Sequence, residues 1–212
     1  LSDPLIKLEV LDLGLSTTEV NELTSLRDGV APIIAKKFDF SCFPDFFNIQ
    51  VDAGCYAWKP AAINASLRDA STSMLVWLDA GCIVQPGFRE AWVSALSKTP
   101  VISPRSSGTI RDWAHPACIR ALGIGADVLK RPNLSGGVVG FHLADPRAKK
   151  LAARWLRWAH DRSVIAPHGS SRENHRQDQT LLSILIAQTF PAAKPLDLKD
   201  LNVAVHRDDD GC

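Results

Sequence analysis

The sequence predicts an α/β fold: a single three-layer α/β/α domain over residues 1–212, with a mostly parallel, mixed sheet. Three observations predict it. Short apolar runs near 5–13, 74–79, 100–103, 138–141 and 201–205 are separated by segments of helical length, the pattern of strands covered by helices on both faces. Met74-Leu75-Val76-Trp77-Leu78 is apolar at every position, as in a strand buried on both sides rather than one with a wet face. That run then delivers one carboxylate, Asp79, before a second apolar run at Cys82-Ile83-Val84. A buried strand of this kind ends at the carboxyl edge of its sheet, where open α/β sheets bind ligands.

The elements follow in chain order. Residues 5–13 read as a buried strand and Gly14–Thr18 as a turn, with Ser16, Thr17 or Thr18 capping a helix over 18–27 that carries Glu19 and Glu22 in its first turns. Val30–Ala35 suggests a short strand, which Pro32 confines to an edge or a strand start. Residues 38–53 are rich in aromatics, carry Pro44 and read as irregular. Pro60 suits the first turn of a helix running to about Asp69, because its missing N–H is an orphan there in any case. After the 74–79 strand, Pro86-Gly87 turns into a helix over 88–97, with Phe88, Trp92 and Leu96 on one face. A strand at 100–103 leads to Pro104–Asp112, which reads as a mobile loop. A short helix spans about 115–122, Asn133–Gly137 is a turn, and Val138–Phe141 a strand. Pro146–His160 is amphipathic, with Leu151, Trp155, Leu156 and Trp158 among basic residues. Residues 163–174 form a polar loop, His175–Thr189 a largely buried helix, and Leu201–Val205 a last strand before a charged tail.

Composition narrows the function. The chain is 46% hydrophobic and 22% charged with a net charge of +1, so no global field favours nucleic acid or an anionic membrane. No stretch approaches the roughly 20 apolar residues that a membrane span needs. Five cysteines without a C-x-x-C pair argue against a zinc ribbon and a disulfide framework. Cys55 and Cys82, beside small or apolar residues, read as buried thiols. A reducing, cytoplasmic setting is the expectation. The opening Leu1-Ser2-Asp3-Pro4 does not read as a signal peptide and lacks a Met start, so the chain is expected to be a piece of a longer one.

Chemistry concentrates at a few positions. Asp79 either caps the turn through Gly81 or faces a metal or diphosphate, since hard divalent cations take oxygen ligands and share them with phosphates. Lys59, twenty positions earlier, is either an exposed helix-start lysine or a point cation for a diphosphate. Gly136 and Gly137 lack Cβ atoms, so the backbone there can approach a ligand. His175-Arg176-Gln177-Asp178-Gln179-Thr180 puts a polar turn at the head of an apolar helix. The helix dipole favours an acid at that end by about 0.3–1 kcal/mol, so Asp178 is either a cap or a site residue.

The block Leu75–Trp92, with Trp58-Lys59-Pro60, Asn133–Gly137 and His175–Gln179 in the same order, resembles nucleotide-sugar glycosyltransferases of the GT-A fold, in their retaining, glycogenin-like branch. The resemblance covers most of residues 5–190. It implies sugar transfer from a nucleoside-diphosphate-sugar, a UDP-sugar foremost, to a glycan or other hydroxyl acceptor. It assigns donor contacts to Lys59, Asp79, Ala80, Gly81, Gly136 and Gly137, and catalytic roles at the donor sugar to Asp178 and Gln179. It implies Mn2+ or Mg2+ held by Asp79 and by a C-terminal histidine, here His206. Three departures stand out. The second carboxylate of the family's Asp-x-Asp falls on Gly81, the family's pattern after the histidine is replaced by Arg207-Asp208-Asp209-Asp210, and the first strand unit of the fold is missing. The alternative is a GT-A-like domain that binds nucleotide or glycan without turnover, or an interaction module using the basic face of 146–160.

Overall fold

The computed structural model describes residues 5–26 and 33–205. The chain divides into two compact units, 1–54 and 55–212.

In the first unit, β1 (Leu8–Asp12) and β2 (Ile33–Lys37) pair in parallel, from Leu8 opposite Ile33 to Asp12 opposite Lys37. The Asp12 carboxylate ends β1 by accepting the N–H groups of Gly14 and Leu15 at 2.7 and 2.6 Å. These bonds hold its acid below the usual carboxylate range. Ser16 then caps α1 (Thr17–Ser25) in a capping box with Glu19, which satisfies two orphan amides at once. Of the strand expected at 30–35, residues 30–32 lie outside the described residues; the described part runs on to Lys37. The aromatic segment is irregular, as read: two single 3-10 turns bring Phe38, Phe43 and Phe47 into a stack with ring centroids 5.0 Å apart at each step. Asp52 to Tyr56 all have φ between +46° and +64°, a left-handed turn that costs non-glycine residues about 1–2 kcal/mol each.

The second unit holds α2 (Trp58–Asp69), β3 (Met74–Leu78), β4 (Cys82–Val84), α3 (Phe88–Leu96), β5 (Val101–Ile102), β6 (Arg105–Thr109), α4 (Pro116–Leu122), α5 (Ala126–Leu129), β7 (Pro132–Leu134), β8 (Val138–His142), α6 (Pro146–Ala159), α7 (Arg162–Ile165), α8 (Gln177–Thr189) and β9 (Val203–Val205). Strand β8 lies between β3 and β5 and runs antiparallel to both. Two further antiparallel pairs, β4 with β9 and β6 with β7, flank it in sequence. Strand pairing is mixed but less parallel than expected: β1 and β2 form a parallel pair in the first unit, and every pair among the described strands of the second unit is antiparallel. The apolar run at 138–141 carries no mark of direction, and β8 returns between two strands that point the other way.

Residues on β8 alternate between the two faces. Val138 joins the core cluster of Trp92, Leu96 and Ile102 under α3. Phe141, fully buried, points to the opposite face, and α6 packs against β8 as well. Helix α6 buries Ala148, Leu151, Ala152, Trp155 and Ala159 and leaves its arginines and lysines outward. Gly140 is required by packing: a Cβ there would overlap the indole ring of buried Trp92. Gly140→Ala should therefore destabilise the fold by about 1–3 kcal/mol, read as a lower urea midpoint with an unchanged slope; an unchanged midpoint would mean that Trp92 moves freely.

Two loop readings are corrected. Residues 105–109 form β6, paired with β7, and a capping box between Thr109 and Asp112 closes the next turn. Within the 163–174 segment, α7 runs to Ile165, capped by Asp161. Both segments are polar in composition, and pairing with a distant strand leaves no local signal.

Candidate active site

Strand β3 ends at Leu78, and a tight turn follows in which Cys82 N–H donates to Asp79 O at 2.9 Å. Asp79 N–H donates to Gly137 O at 2.8 Å, which fixes the strand end against the Ser135–Gly137 turn. The Asp79 side chain, 45% exposed, meets two donors. The indole N–H of Trp77 donates to Oδ1 at 2.8 Å, and the Lys59 ammonium lies 2.9 Å from Oδ1 and 3.0 Å from Oδ2. Ala80 and Gly81 are exposed at the turn.

Lys59 sits in the first turn of α2 and is 3% exposed. Its ammonium also donates to Gly136 O at 3.2 Å and stands 3.8 Å from Asp178 Oδ2. Tyr56 and Trp58 flank it, with ring centroids 5.7 and 5.8 Å away. Burial alone would pull the lysine down, but Asp178 and Asp79 outweigh it and hold its affinity for the proton above the ordinary value. Lys59 is thus a buried, paired lysine rather than an exposed one.

Asp178 is 4% exposed in the first turn of α8, and its Oδ2 accepts no hydrogen bond among the described residues. Burial pushes its acid up to about 6, against the opposing pull of Lys59. The turn is held from both sides. Asp178 O accepts the indole N–H of Trp155 at 3.0 Å, and Thr180 Oγ1 donates to Trp113 O at 2.6 Å. Ser183 Oγ lies 2.8 Å from Gln179 O and accepts Leu134 N–H at 2.9 Å, tying α8 to β7.

Gly136 and Gly137 fit the cluster by close approach, since neither has a positive φ. A Cβ on Gly136 would stand 3.0 Å from Gln179 Cβ and 3.1 Å from Asp178 Oδ2; one on Gly137 would stand 2.7 Å from Asp79 Oδ2. Their carbonyls face the cluster, accepting from Lys59 and Asp79, whereas Gly137 N–H donates to Ser135 Oγ at 3.2 Å.

The structure thus brings together Lys59, Asp79, Gly136, Gly137, Asp178 and Gln179, all from the second unit. His206 lies outside the described residues. Trp77, Tyr56, Arg172 and Trp155 were missed by sequence reasoning, and only the alternation of Trp77 with Asp79 on one strand face gave a hint. His175, buried and fully covered, accepts His115 N–H at 3.2 Å on Nδ1; burial lowers its acid to about 4, so it is a neutral support for the turn. Cys55 is buried and Cys82 half-buried; four cysteines among the described residues, Cys42, Cys55, Cys82 and Cys118, are free thiols. No described helix is long and apolar enough to cross a membrane. A mainly apolar cavity of about 590 Å³ between α3, β5 and the end of α8 shares no lining residue with the cluster.

No protein-family model matches the chain, and no curated protein does. Among solved structures it is similar to a galactosyltransferase, LgtC, in complex with donor and acceptor sugar analogues: TM-score 0.53, 17% identity, 95% of this chain and 76% of that one. It is also similar to the bifunctional glycosyltransferase WbbM in its apo form: TM-score 0.51, 12% identity, 87% of this chain and 32% of that one. The chain has the mixed α/β fold of GT-A glycosyltransferases.

Proposed function

We propose that the protein transfers a sugar from a nucleoside-diphosphate-sugar, a UDP-sugar foremost, to a glycan or other hydroxyl acceptor. One observation carries this reading: the strand-end Asp79 and the helix-start Asp178 meet across a single buried ammonium, Lys59, at 2.9 and 3.8 Å, on a GT-A fold. The bond from the anomeric carbon to the diphosphate oxygen breaks, and a bond from that carbon to the acceptor oxygen forms. The diphosphate departs with the bonding electrons, and the acceptor hydroxyl gives its proton to an oxygen of that leaving diphosphate.

Each residue has a part to play. Positive charge develops on the sugar, and an ionised Asp178 with Gln179 beside it supports that charge. Asp79, held by Lys59 and Trp77, orients the donor at the strand end. The turn at Ala80 and Gly81 and the backbone of Gly136 and Gly137 line the donor's approach. The resemblance also implied Mn2+ or Mg2+ at Asp79. The described residues do not complete a shell for either ion, because no group of three His, Cys, Asp or Glu side chains converges there, and no step is routed through a metal.

A thermal-shift screen of UDP-, GDP- and dTDP-sugars tests the reading. A true donor at a hundredfold excess over its dissociation constant stabilises the chain by about 2.7 kcal/mol. Hydrolysis or transfer of that donor completes the case. Binding without turnover, unchanged by Asp79→Ala, would favour the non-catalytic alternative.

A further inference from the structure

The next inference rests on the transfer reading and concerns how the donor's diphosphate is held. Asp79 is already spoken for. Its Oδ1 takes the Trp77 indole N–H and the Lys59 ammonium, and its Oδ2 lies 3.0 Å from the same ammonium. The lysine's ammonium already engages both oxygens of that carboxylate. Position 81 supplies no ligand, and space is not the reason: a Cβ on Gly81 would meet nothing within 4 Å, and its φ is not positive. The glycine therefore leaves out a carboxylate that the fold had room for.

Lys59 balances charge but does not grip a ligand, since it is 3% exposed and donates to Asp79 and Gly136 O. An accessible cation on the same aromatic ring, that of Tyr56, is Arg172, exposed on the segment between α7 and α8. Its guanidinium lies 5.3 Å from the centroid of the Tyr56 ring, and the Lys59 ammonium lies 5.7 Å from the same centroid. Among the described residues Arg172 pairs with no carboxylate. A guanidinium offers a planar fork that matches phosphate oxygens two at a time. The Lys59 charge is already engaged by Asp79 and Asp178, so Arg172 is the cation left for a diphosphate.

We propose that this chain binds the donor's diphosphate without a divalent cation, and that Arg172 is the group that grips it. Calorimetric titration of UDP and of GDP into the full chain, in excess EDTA and in manganese, tests this. At least one nucleotide should bind with the same affinity, within about twofold, in both conditions. Arg172→Ala should weaken it about ten- to a hundredfold, the effect of losing a hydrogen bond to a charged group, and Arg172→Lys should recover part. Gly81→Asp should acquire a manganese-dependent gain in affinity that the natural chain lacks. Binding that needs manganese, and is lost in His206→Ala, overturns this inference and leaves the transfer reading standing. Binding indifferent to Arg172→Ala also overturns it. No binding of either nucleotide in either condition removes both readings together.

Discussion

Replacing Lys59 with methionine should lower stability by about 3–5 kcal/mol near pH 8, because removing one member of a buried ion pair leaves the other uncompensated. In a domain of this size that is a fall in melting temperature of order 10 °C. The side chain is 4% exposed, and methionine fills nearly the same volume, so the loss is electrostatic rather than a cavity. Asp178 would be left facing Asp79 with no cation between them. The penalty should shrink near pH 5, where a proton on Asp178 removes one of the two negative charges. Melting curves of both proteins at the two pH values give the answer, and a penalty that does not change with pH would mean that Lys59 stabilises by packing alone.

Asp178→Asn should slow transfer by about a hundred- to ten-thousandfold, the usual scale for a carboxylate working at the reacting carbon. It should leave the fold intact or make it more stable. The native acid titrates near 6 and the unfolded one near 3.8. Between these values the folded state holds a proton that the unfolded state has released, so stability falls as pH rises through that window. The fall totals about 3 kcal/mol at 1.36 kcal/mol per pH unit. The asparagine variant should lose this slope and be the more stable of the two at pH 8. On the proposed transfer, kcat/KM of the natural protein should rise with pH along a limb near 6. A flat rate profile together with a slope kept in Asp178→Asn would place the titration on another group.

Much of this was legible in single residues. The all-apolar Met74–Leu78 ending in Asp79 gave β3, although the strand lies at the edge of its sheet and is half-buried throughout rather than covered on both faces. The polar start of an apolar helix gave α8, and Leu151 and Trp155 gave part of the buried face of α6, which Ala148, Ala152 and Ala159 complete while Leu156 and Trp158 are only half-buried. Ser16 was one of three possible caps for α1, and the box with Glu19 came from the structure. What stayed hidden depends on partners far along the chain. Strand β6, with Arg105-Ser106-Ser107-Gly108-Thr109, is a strand only because β7 pairs with it. Strand β8 is antiparallel because of where the chain re-enters the sheet, which an apolar run does not encode. Lys59 read as either an exposed helix-start lysine or a point cation for a diphosphate, and its burial between two carboxylates was not legible. Trp155 read as core by its position, but its N–H bond to the Asp178 carbonyl needed coordinates.

That bond has a further meaning. The turn at the head of α8 is pinned by Trp155, by Trp113 through Thr180, and by Ser183, while Arg172 stands in an exposed segment a few residues earlier. Amide exchange should be slow at the helix and fast in the segment before it. The carboxylate is then set in place before any ligand arrives, and on the proposed function any adjustment to the donor is expected in the segment around Arg172.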